Sequence, residues 1–316
     1  MLTTRSITLA LALLAAAFSP ARAEDKLILA LGQRGNWDTA ISELGQRAGI
    51  FKKHGLVLEI LWTQGAGESQ QAVLAGSADL GLVGTLQAFA AYRKGVPARI
   101  VAAEATGAAD YWYARAASPI HSMKDTAGKT VAYSTNGAST HTMVLGFLRE
   151  AGVAARPVAT GSPGATLTQV MSGQIDVGWS APPFGLAQIN KGEIRVVAYG
   201  TDLASVRDQT IRVLMTLAPK LDARPDVFAR YVQAYRETVD WMYAGDEPLE
   251  MYAEFAGVPL EIARQVRDKF FPKSLLVPDR VSGLDAQMAD AVTFKYLAEP
   301  LTREQLAELI RIPPQK

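Results

Sequence analysis

The segment AVLAGSADLGL, residues 72–82, returns as QVMSGQIDVGW at residues 169–179, 97 positions further along the chain. Both copies place an apolar-periodic run before a glycine, and both continue through an aspartate and a second glycine. This is the pattern of a helix, a tight turn and a buried strand. One such match would carry little weight, but the order of elements on either side of the two copies also agrees. The repeat therefore predicts two similarly built lobes.

Strand and helix patterns alternate along most of the chain. Apolar runs at 26–31, 56–62 and 98–105 are typical of buried strands, and the segments between them have the periodicity of helices. The alternation restarts at Lys129, where KTVAYS leads into a polar loop, and it predicts a mostly parallel α/β sheet in each lobe. From Arg224 onward only helical patterns follow, which indicates a helical C-terminal tail.

Two strand-like runs mark the boundaries between the lobes. DYWYARAA at 110–117 and QTIRVLMTLAP at 209–219 are interpreted as paired crossover strands that act as a hinge. The predicted fold is an α/β clamshell with two crossovers. Lobe 1 takes in residues 24–112 and 210–316, including the helical tail, and lobe 2 takes in residues 113–209.

The bulk composition limits the possible functions. The 316 residues are 49% hydrophobic and 20% charged, as expected of a globular protein, and the formal net charge of +1 gives no electrostatic basis for binding nucleic acid. The chain has no cysteine, which excludes disulfides, thiolate metal sites and a cysteine nucleophile. The motifs HExxH and GxSxG are absent, so neither a zinc protease nor an α/β-hydrolase is supported. No catalytic residue, metal site or cofactor is predicted.

The N-terminus has the layout of a secretory signal peptide. Arg5 supplies the positive charge, ITLALALLAAAF at 7–18 is the apolar region, and Ala21 and Ala23 form the small-residue cleavage pattern. The apolar run is too short to cross a bilayer as an anchor. Cleavage would remove residues 1–23 and leave a periplasmic protein with no membrane span.

The loops that follow the predicted strands are the places to look for a ligand site. Ligands of open α/β sheets bind beyond the carboxyl ends of the strands, and in a clamshell those edges face each other across the cleft. These loops are residues 32–37, 63–69, 83–85, 134–140, 161–166 and 179–184.

The loop STNGAST at 134–140 has the strongest signal. Five hydrogen-bonding side chains are crowded between a predicted strand and a predicted helix. They are Ser134, Thr135, Asn136, Ser139 and Thr140. Unpaired N–H groups at a helix N-terminus favour an anion or an electronegative atom, and Gly137 permits close approach of a ligand. The alternative is that one serine caps the helix and Asn136-Gly137 forms a turn.

The first lobe offers a comparable loop, TQGAGES at 63–69. Its two glycines, one of which is Gly67, precede Glu68, which stands at the start of a predicted helix. Glu68 is either a favourable first-turn acid or the partner of a cationic ligand group such as an amine. The loop has neither the Gly-Lys-Ser/Thr ending of a phosphate-binding P-loop nor the third glycine of a dinucleotide fingerprint.

Two tryptophans and one arginine lie in the same set of loops. Trp37 and Trp179 follow strands of opposite lobes and are predicted to sandwich an aromatic or apolar ligand body, the alternative being core packing. Arg34, the single basic residue in the six loops, is a candidate for holding a carboxylate or sulfonate, or else a solvated surface residue. Asp79 and Asp176, the aspartates of the repeat, are predicted to be structural.

Three segments carry a family resemblance. ELGQRAGIFKKHGLVLEI, GESQQAVLAGSADLGLVGT and SMKDTAGKTVAYSTNGAST, in this order and spacing, resemble the bacterial periplasmic substrate-binding proteins of the nitrate, taurine, alkanesulfonate and thiamine-pyrimidine group. The resemblance covers essentially the whole chain after the signal. It implies a type II-like periplasmic-binding-protein clamshell that delivers a small molecule to the membrane permease of an ABC importer. By matching position, it implies a cleft lined by 34–37 with Asn36, 65–69, 84–85 with Thr85, 134–140 and 179–183.

The resemblance implies no single ligand. Neutral polar loops, one arginine and two tryptophans favour a small organic molecule with an aromatic or apolar body and a polar or anionic end, of sulfonate, carboxylate or pyrimidine type. We expect a monomer without enzymatic activity. Two alternatives remain open: a binding protein that serves a membrane sensor, and an enzyme on the same fold. Eukaryotic pyrimidine synthases of this fold use a cysteine-rich motif that is missing here, and chorismate-dehydratase-like proteins lack export signals.

Overall fold

A computed structural model describes residues 24–315, so the predicted signal peptide at 1–23 lies outside the described residues. The strands are β1 (Asp25–Gly32), β2 (Leu56–Thr63), β3 (Leu80–Gly84), β4 (Ala98–Thr106), β5 (Tyr111–Arg115), β6 (Thr130–Tyr133), β7 (Arg156–Ala159), β8 (Val177–Ser180), β9 (Ile194–Tyr199) and β10 (Thr210–Leu217). The α-helices are α1 (Ile41–Arg47), α2 (Ile50–Lys53), α3 (Ala66–Leu74), α4 (Thr85–Arg93), α5 (Ser139–Ala151), α6 (Pro163–Met171), α7 (Leu186–Asn190), α8 (Ala204–Arg207), α9 (Ala218–Ala223), α10 (Pro225–Met242), α11 (Glu247–Ala256), α12 (Leu260–Gln265), α13 (Leu284–Thr293) and α14 (Arg303–Leu309).

The strands form two five-stranded sheets of the same topology. The first has the order β2-β1-β3-β10-β4 and the second the order β7-β6-β8-β5-β9. One strand of each sheet, β10 in the first and β5 in the second, runs antiparallel to both of its neighbours. Strands β5 and β10 are each the first strand after the chain has passed from one sheet to the other. The predicted two-lobe α/β fold is confirmed, and each sheet with its covering helices is termed a lobe below.

The predicted pairing of the two boundary runs is wrong. Residues 110–117 and 209–219 contain β5 and β10, which lie inside different sheets and pair with their own sheet neighbours. The side chains of both strands are almost all buried. Such apolar runs gain more from burial in the middle of a sheet than at an exposed connection between lobes.

Two short segments, one from β4 to β5 and one from β9 to β10, connect the lobes. They run side by side and exchange backbone hydrogen bonds. Gly107 donates its N–H to the Gln209 carbonyl at 2.9 Å, and Gly200 donates its N–H to the Asp110 carbonyl at 2.8 Å. The domain boundaries drawn from the sequence remain a prediction.

The two aspartates of the repeat occupy equivalent places. Asp79 accepts the backbone N–H of Ile28 in β1 at 2.9 Å, and Asp176 accepts that of Thr130 in β6 at 2.9 Å. In each lobe the carboxylate ties the turn before one strand to the neighbouring strand. The predicted structural role of both residues is confirmed.

The C-terminal helices pack on the first lobe. Helix α10 lies against α1, where the hydroxyl oxygens of Ser42 and Tyr231 are 2.8 Å apart. Helix α14 lies beside β4, and Arg311 just beyond it donates its N–H to the Ile100 carbonyl at 2.8 Å. Helix α13 reaches the start of β10 through a hydrogen bond to Thr210. Part of the tail therefore stands next to the junction between the lobes.

Candidate functional site

Two adjoining cavities lie between the lobes. The first, termed the Gln287 cavity, is lined by Gly84, Thr85, Leu86, Gly137, Ser139, Thr142, Met143, Val206, Gln209, Thr210, Ile211 and Gln287. The second, termed the Arg212 cavity, is lined by Gly32, Gln33, Thr39, Ala66, Leu82, Ala138, Ser139 and Arg212. Ser139 lines both cavities. The carboxyl ends of β1 and β3 here face the start of α5, as the strand pattern predicts.

Two of the five polar side chains in the 134–140 loop hold the loop together. The Thr140 hydroxyl accepts the backbone N–H of Ser134 at 3.0 Å and lies 2.8 Å from Ser134 Oγ. Both residues are buried, and neither lines a cavity. Because these groups satisfy each other, they hold the loop in shape, and the ligand contact predicted for Ser134 and Thr140 stays a prediction.

Two further members of this loop lie at the rim where the lobes touch. Thr135 Oγ1 accepts the N–H of Gly67, in the first lobe, at 3.0 Å. Asn136 is exposed, and its Oδ1 accepts the Tyr133 hydroxyl at 2.6 Å. Thr135 and Gly67 therefore join the lobes to each other, and none of Gly67, Thr135 and Asn136 forms a cavity wall.

Of the five polar side chains, Ser139 is the one that reaches the cavities. Helix α5 begins at Ser139, and the preceding residue, Ala138, has no side-chain group to cap it. Gly137 has a φ of 84°, a left-handed conformation that favours glycine. Its carbonyl would lie 3.1 Å from a Cβ placed on Gly84 of the opposite lobe. The loop thus brings one hydroxyl and the positive end of a helix dipole to the place where the two cavities meet.

The structure places neither tryptophan of the predicted sandwich on a wall of the two cavities. Trp37 is fully buried against Tyr243 and Tyr252, and its Nε1 donates to the Tyr243 hydroxyl at 3.0 Å. Trp179 is fully buried in β8, opposite Trp112 of β5. Both indoles belong to the hydrophobic core, because an aromatic side chain of this size is strongly stabilised by complete burial.

Two charged residues of the predicted site also lie away from the cavities. Arg34 is exposed, and its guanidinium carbon stands 4.9 Å from the ring centre of Phe255. Glu68 accepts the backbone N–H of Gln64 at 2.9 Å, so it is a first-turn acid of α3. The carboxylate-binding role of Arg34 and the amine-binding role of Glu68 are therefore not supported.

Of the two predicted site residues Thr85 and Asn36, only Thr85 lines a cavity. Thr85 lines the Gln287 cavity, and its hydroxyl donates to the Thr210 carbonyl at 2.6 Å. Asn36 is fully buried and donates its side-chain amide to Gln33 at 3.0 Å. Thr85 thus lies on a cavity wall, whereas Asn36 lines neither cavity but contacts Gln33, which lines the Arg212 cavity.

Sequence reasoning missed a buried charge cluster beside the Arg212 cavity. The guanidinium of Arg212, in β10, pairs with Asp38, with Glu104 at 2.9 Å and with Asp110 at 3.5 Å. All four side chains are buried. They come from distant parts of the chain, so no motif joins them. The usable signal was a charged residue inside each of two apolar strands, β4 and β10.

The cluster shifts the proton affinities of its members. Burial and the Asp38 carboxylate raise the pKa of Glu104 to about 8, against the pull of Arg212. Burial also raises the pKa of Asp110. For Arg212, burial opposes the charged form, but the three carboxylates outweigh it and raise its pKa well above the ordinary value. Arg212 therefore stays protonated, with its charge matched by its own neighbours.

Gln287 of α13 is the other cavity residue that sequence reasoning missed. It is fully buried, and its Nε2 donates to the carbonyls of Ser282 at 2.7 Å and Thr210 at 3.1 Å. Its Oε1 has no hydrogen-bond partner among residues 24–315. The sequence gives no sign that this glutamine of the helical tail lies at the cleft, because the residues around it there come from distant parts of the chain.

The two-lobe fold is that of the periplasmic binding proteins. The alkanesulfonate-binding protein SsuA of Xanthomonas axonopodis pv. citri, bound to MOPS, has a TM-score of 0.76 at 17% identity, over 94% of this chain and 100% of that one. The periplasmic nitrate-binding protein NrtA of Synechocystis PCC 6803 has a TM-score of 0.71 at 15% identity, over 90% and 86%. Within this class, the NMT1/THI5-like family profile matches residues 38–248. The chain belongs to the NMT1/THI5-like family.

The same fold also carries catalysis in another protein. The desulfurization enzyme DSZB has a TM-score of 0.61 at 17% identity, over 89% of this chain and 95% of that one. No match to a curated protein sequence was found. Fold alone therefore does not separate binding from catalysis, and the residues of the cavities must decide.

Two properties of the described residues bear on the partners of the protein. None of the helices between residues 24 and 315 combines the length and hydropathy that a bilayer span requires. Over the same residues, no group of three or more histidine, aspartate or glutamate side chains is arranged to hold a metal ion.

Proposed function

We propose that this protein is an extracytoplasmic solute-binding protein of an ABC importer that holds a small organic molecule between its lobes. The observation that carries the proposal is the pair of cavities that meet at Ser139. Their walls come from both lobes, from the β9–β10 connection and from α13. A molecule bound there contacts every part that changes position when a clamshell opens, so its binding energy favours the closed arrangement.

The lining of the Gln287 cavity supports binding over catalysis. Of the described residues, no acid, base, histidine or cysteine lines it. General acid–base or nucleophilic chemistry requires such groups within hydrogen-bond reach of the substrate. The proposal includes export to the periplasm, cleavage before Glu24, action as a monomer and delivery to a membrane permease. Service to a membrane sensor is the alternative partner.

The ligand that we propose has an apolar body. Leu86, Met143, Val206 and Ile211 supply apolar walls to the Gln287 cavity. Such a lining suits a hydrocarbon or aromatic portion, with a few polar groups fixing its orientation. We do not propose that Arg34 binds an anionic end of the ligand, because Arg34 lies over Phe255 outside both cavities.

The test begins with protein purified from the periplasm of its own host. N-terminal sequencing should find Glu24 or a neighbouring residue first, and native mass spectrometry should identify a co-purified small molecule. After removal and return of that molecule, small-angle scattering should show a smaller radius of gyration in the bound state. Uptake of the same molecule should be lost when the gene of the proposed partner permease is deleted. An unchanged scattering profile at saturation would contradict closure, and intact uptake would favour the sensor alternative.

A further inference from the structure

The Gln287 cavity is uncharged. Among the described residues that line it, none is acidic or basic. Moving an ion from water into such a site carries a desolvation cost that neutral dipoles offset only in part, whereas a neutral group enters at far lower cost. The lining therefore selects against a carboxylate, a sulfonate or an ammonium group at this end of the site.

Gln287, which lines this cavity, has one side-chain hydrogen-bond acceptor without a partner. Both hydrogens of its Nε2 are directed to carbonyls, those of Ser282 and Thr210. This fixes the amide orientation, because a flipped amide would set Oε1 against two other acceptors. The remaining acceptor, Oε1, is buried and without a partner in the described chain, and Gln287 is one of the residues that line the cavity. A ligand that brings an N–H or O–H donor to this atom removes the cost of leaving it unsatisfied.

The Arg212 cavity instead offers hydrogen-bond donors. Arg212 uses Nε on Glu104 and one Nη2 hydrogen on Asp38, while its Nη1 stands 3.5 Å from Asp110 Oδ2 and makes no hydrogen bond within residues 24–315. The start of α5 at Ser139 lies across the same cavity. Both features favour an electronegative ligand atom.

That electronegative atom need not carry a charge. Three carboxyl groups already surround the one guanidinium, at Asp38, Glu104 and Asp110. An incoming anion would find no uncompensated positive charge in the cluster, because the Asp38 carboxylate already pairs with Arg212, and that carboxylate would repel it. A carbonyl oxygen can accept from Nη1 without that repulsion.

We infer that the ligand is electrically neutral and has two polar ends, a donor for Gln287 Oε1 and an acceptor for Arg212 Nη1, with an apolar body between them. This rests on the proposed function and narrows its ligand class. It separates the protein from its structural neighbours SsuA and NrtA, which are described as binding alkanesulfonates and nitrate.

The test uses sets of probes that share one carbon skeleton. Each set contains the primary amide, the methyl ketone of nearly the same size, the carboxylate and the sulfonate, on benzoyl and on branched four- to eight-carbon skeletons. Affinities are measured by calorimetry at pH 7. In at least one set, the amide should bind about tenfold or more tightly than the carboxylate and the sulfonate. It should also bind about tenfold more tightly than the ketone, which lacks the N–H donor.

Two variants locate the binding. Val206→Phe should fill the Gln287 cavity and abolish amide binding, because Val206 is one of its walls. Val57→Phe is the matched control, since Val57 is exposed on β2 and lies outside both cavities. Circular dichroism and urea unfolding establish that both variants are folded.

Each outcome decides a separate point. Tighter binding of carboxylates or sulfonates would overturn the neutral-ligand inference and leave the solute-binding role intact. Equal affinity of ketone and amide would overturn the donor assigned to Gln287. Normal amide binding by a folded Val206→Phe protein would move the site out of this cavity. If no probe of any charge binds, the solute-binding proposal itself is contradicted.

Discussion

Gly67 of the first lobe and Gly164 of the second occupy equivalent positions of the repeat, 97 residues apart, yet only Gly67 touches the opposite lobe. Each is the second residue of its helix, α3 or α6. A Cβ on Gly67 would lie 3.0 Å from Thr135 Oγ1, whereas a Cβ on Gly164 would meet no described atom within 4 Å. The repeat thus supplies its own control for the contact between lobes.

Gly67→Ala should weaken ligand binding, because the added methyl group presses on Thr135 in the closed arrangement. We expect roughly a tenfold loss of affinity, about 1.4 kcal/mol. Gly164→Ala should bind normally and gain about 0.5–1 kcal/mol in the free energy of unfolding, the usual advantage of alanine over glycine in a helix. Calorimetry and urea unfolding measure both quantities. Equal affinities for the two variants would show that the Gly67–Thr135 contact does not couple to binding.

Thr140→Val and Ser139→Ala should separate the two roles of the polar loop. Thr140→Val leaves the buried Ser134 N–H without its acceptor and should lower the free energy of unfolding by roughly 1–3 kcal/mol. Ser139→Ala should leave stability nearly unchanged but weaken binding of the co-purified ligand, because Ser139 lines both cavities. Urea unfolding of the ligand-free variants and calorimetry provide the comparison. A Ser139→Ala protein that binds normally would remove Ser139 from the site.

Asp79→Asn should cost stability in a pH-dependent way. Burial opposes ionisation of Asp79, but hydrogen bonds from Lys220 and Ile28 and the charges of Lys220 and Arg224 outweigh it and lower its pKa. The stabilisation that the ionised Asp79 carboxylate provides is therefore complete above the pKa of about 3.9 that an aspartate has in the unfolded chain. It is lost as the pH falls through the lower pKa of Asp79 in the folded protein. We expect a loss of roughly 1–3 kcal/mol at pH 7 that shrinks near the acid end. Urea unfolding at several pH values tests this, and a loss independent of pH would contradict it.

Glu104→Gln should flatten the pH dependence of stability on the alkaline side. The pKa of Glu104 is raised to about 8, so the folded protein holds a proton that the unfolded chain releases above its ordinary pKa of about 4.3. Stability of the unmodified protein therefore falls as the pH rises between these values. Asp38, Asp110, Arg212 and Tyr235 surround the group and remain in the variant. Parallel unfolding profiles from pH 5 to pH 9 would show that Glu104 is not the titrating residue.

The fold was largely predictable from the sequence because its signals are local. A repeat of helix, glycine, aspartate and strand, and the alternation of apolar runs with helical periods, depend on residues close together in the chain. The roles of Asp79 and Asp176 were predictable for the same reason, since each tightens a turn of its own lobe. The pairing of the boundary strands was not, because the hydrogen-bond partners of a strand come from distant segments.

The sequence by itself determined that two α/β lobes meet at strand ends rich in glycine and small polar residues. Only the tertiary structure decided which of those residues face a cavity. Ser134 and Thr140 pair with each other while Ser139 lines the cleft, and Trp37 and Trp179 are fully buried away from it. Arg212 and Gln287 gain their positions from strands and helices far away in the chain. The physical reason is that burial and hydrogen-bond satisfaction are properties of the assembled surroundings, which no short stretch of residues contains.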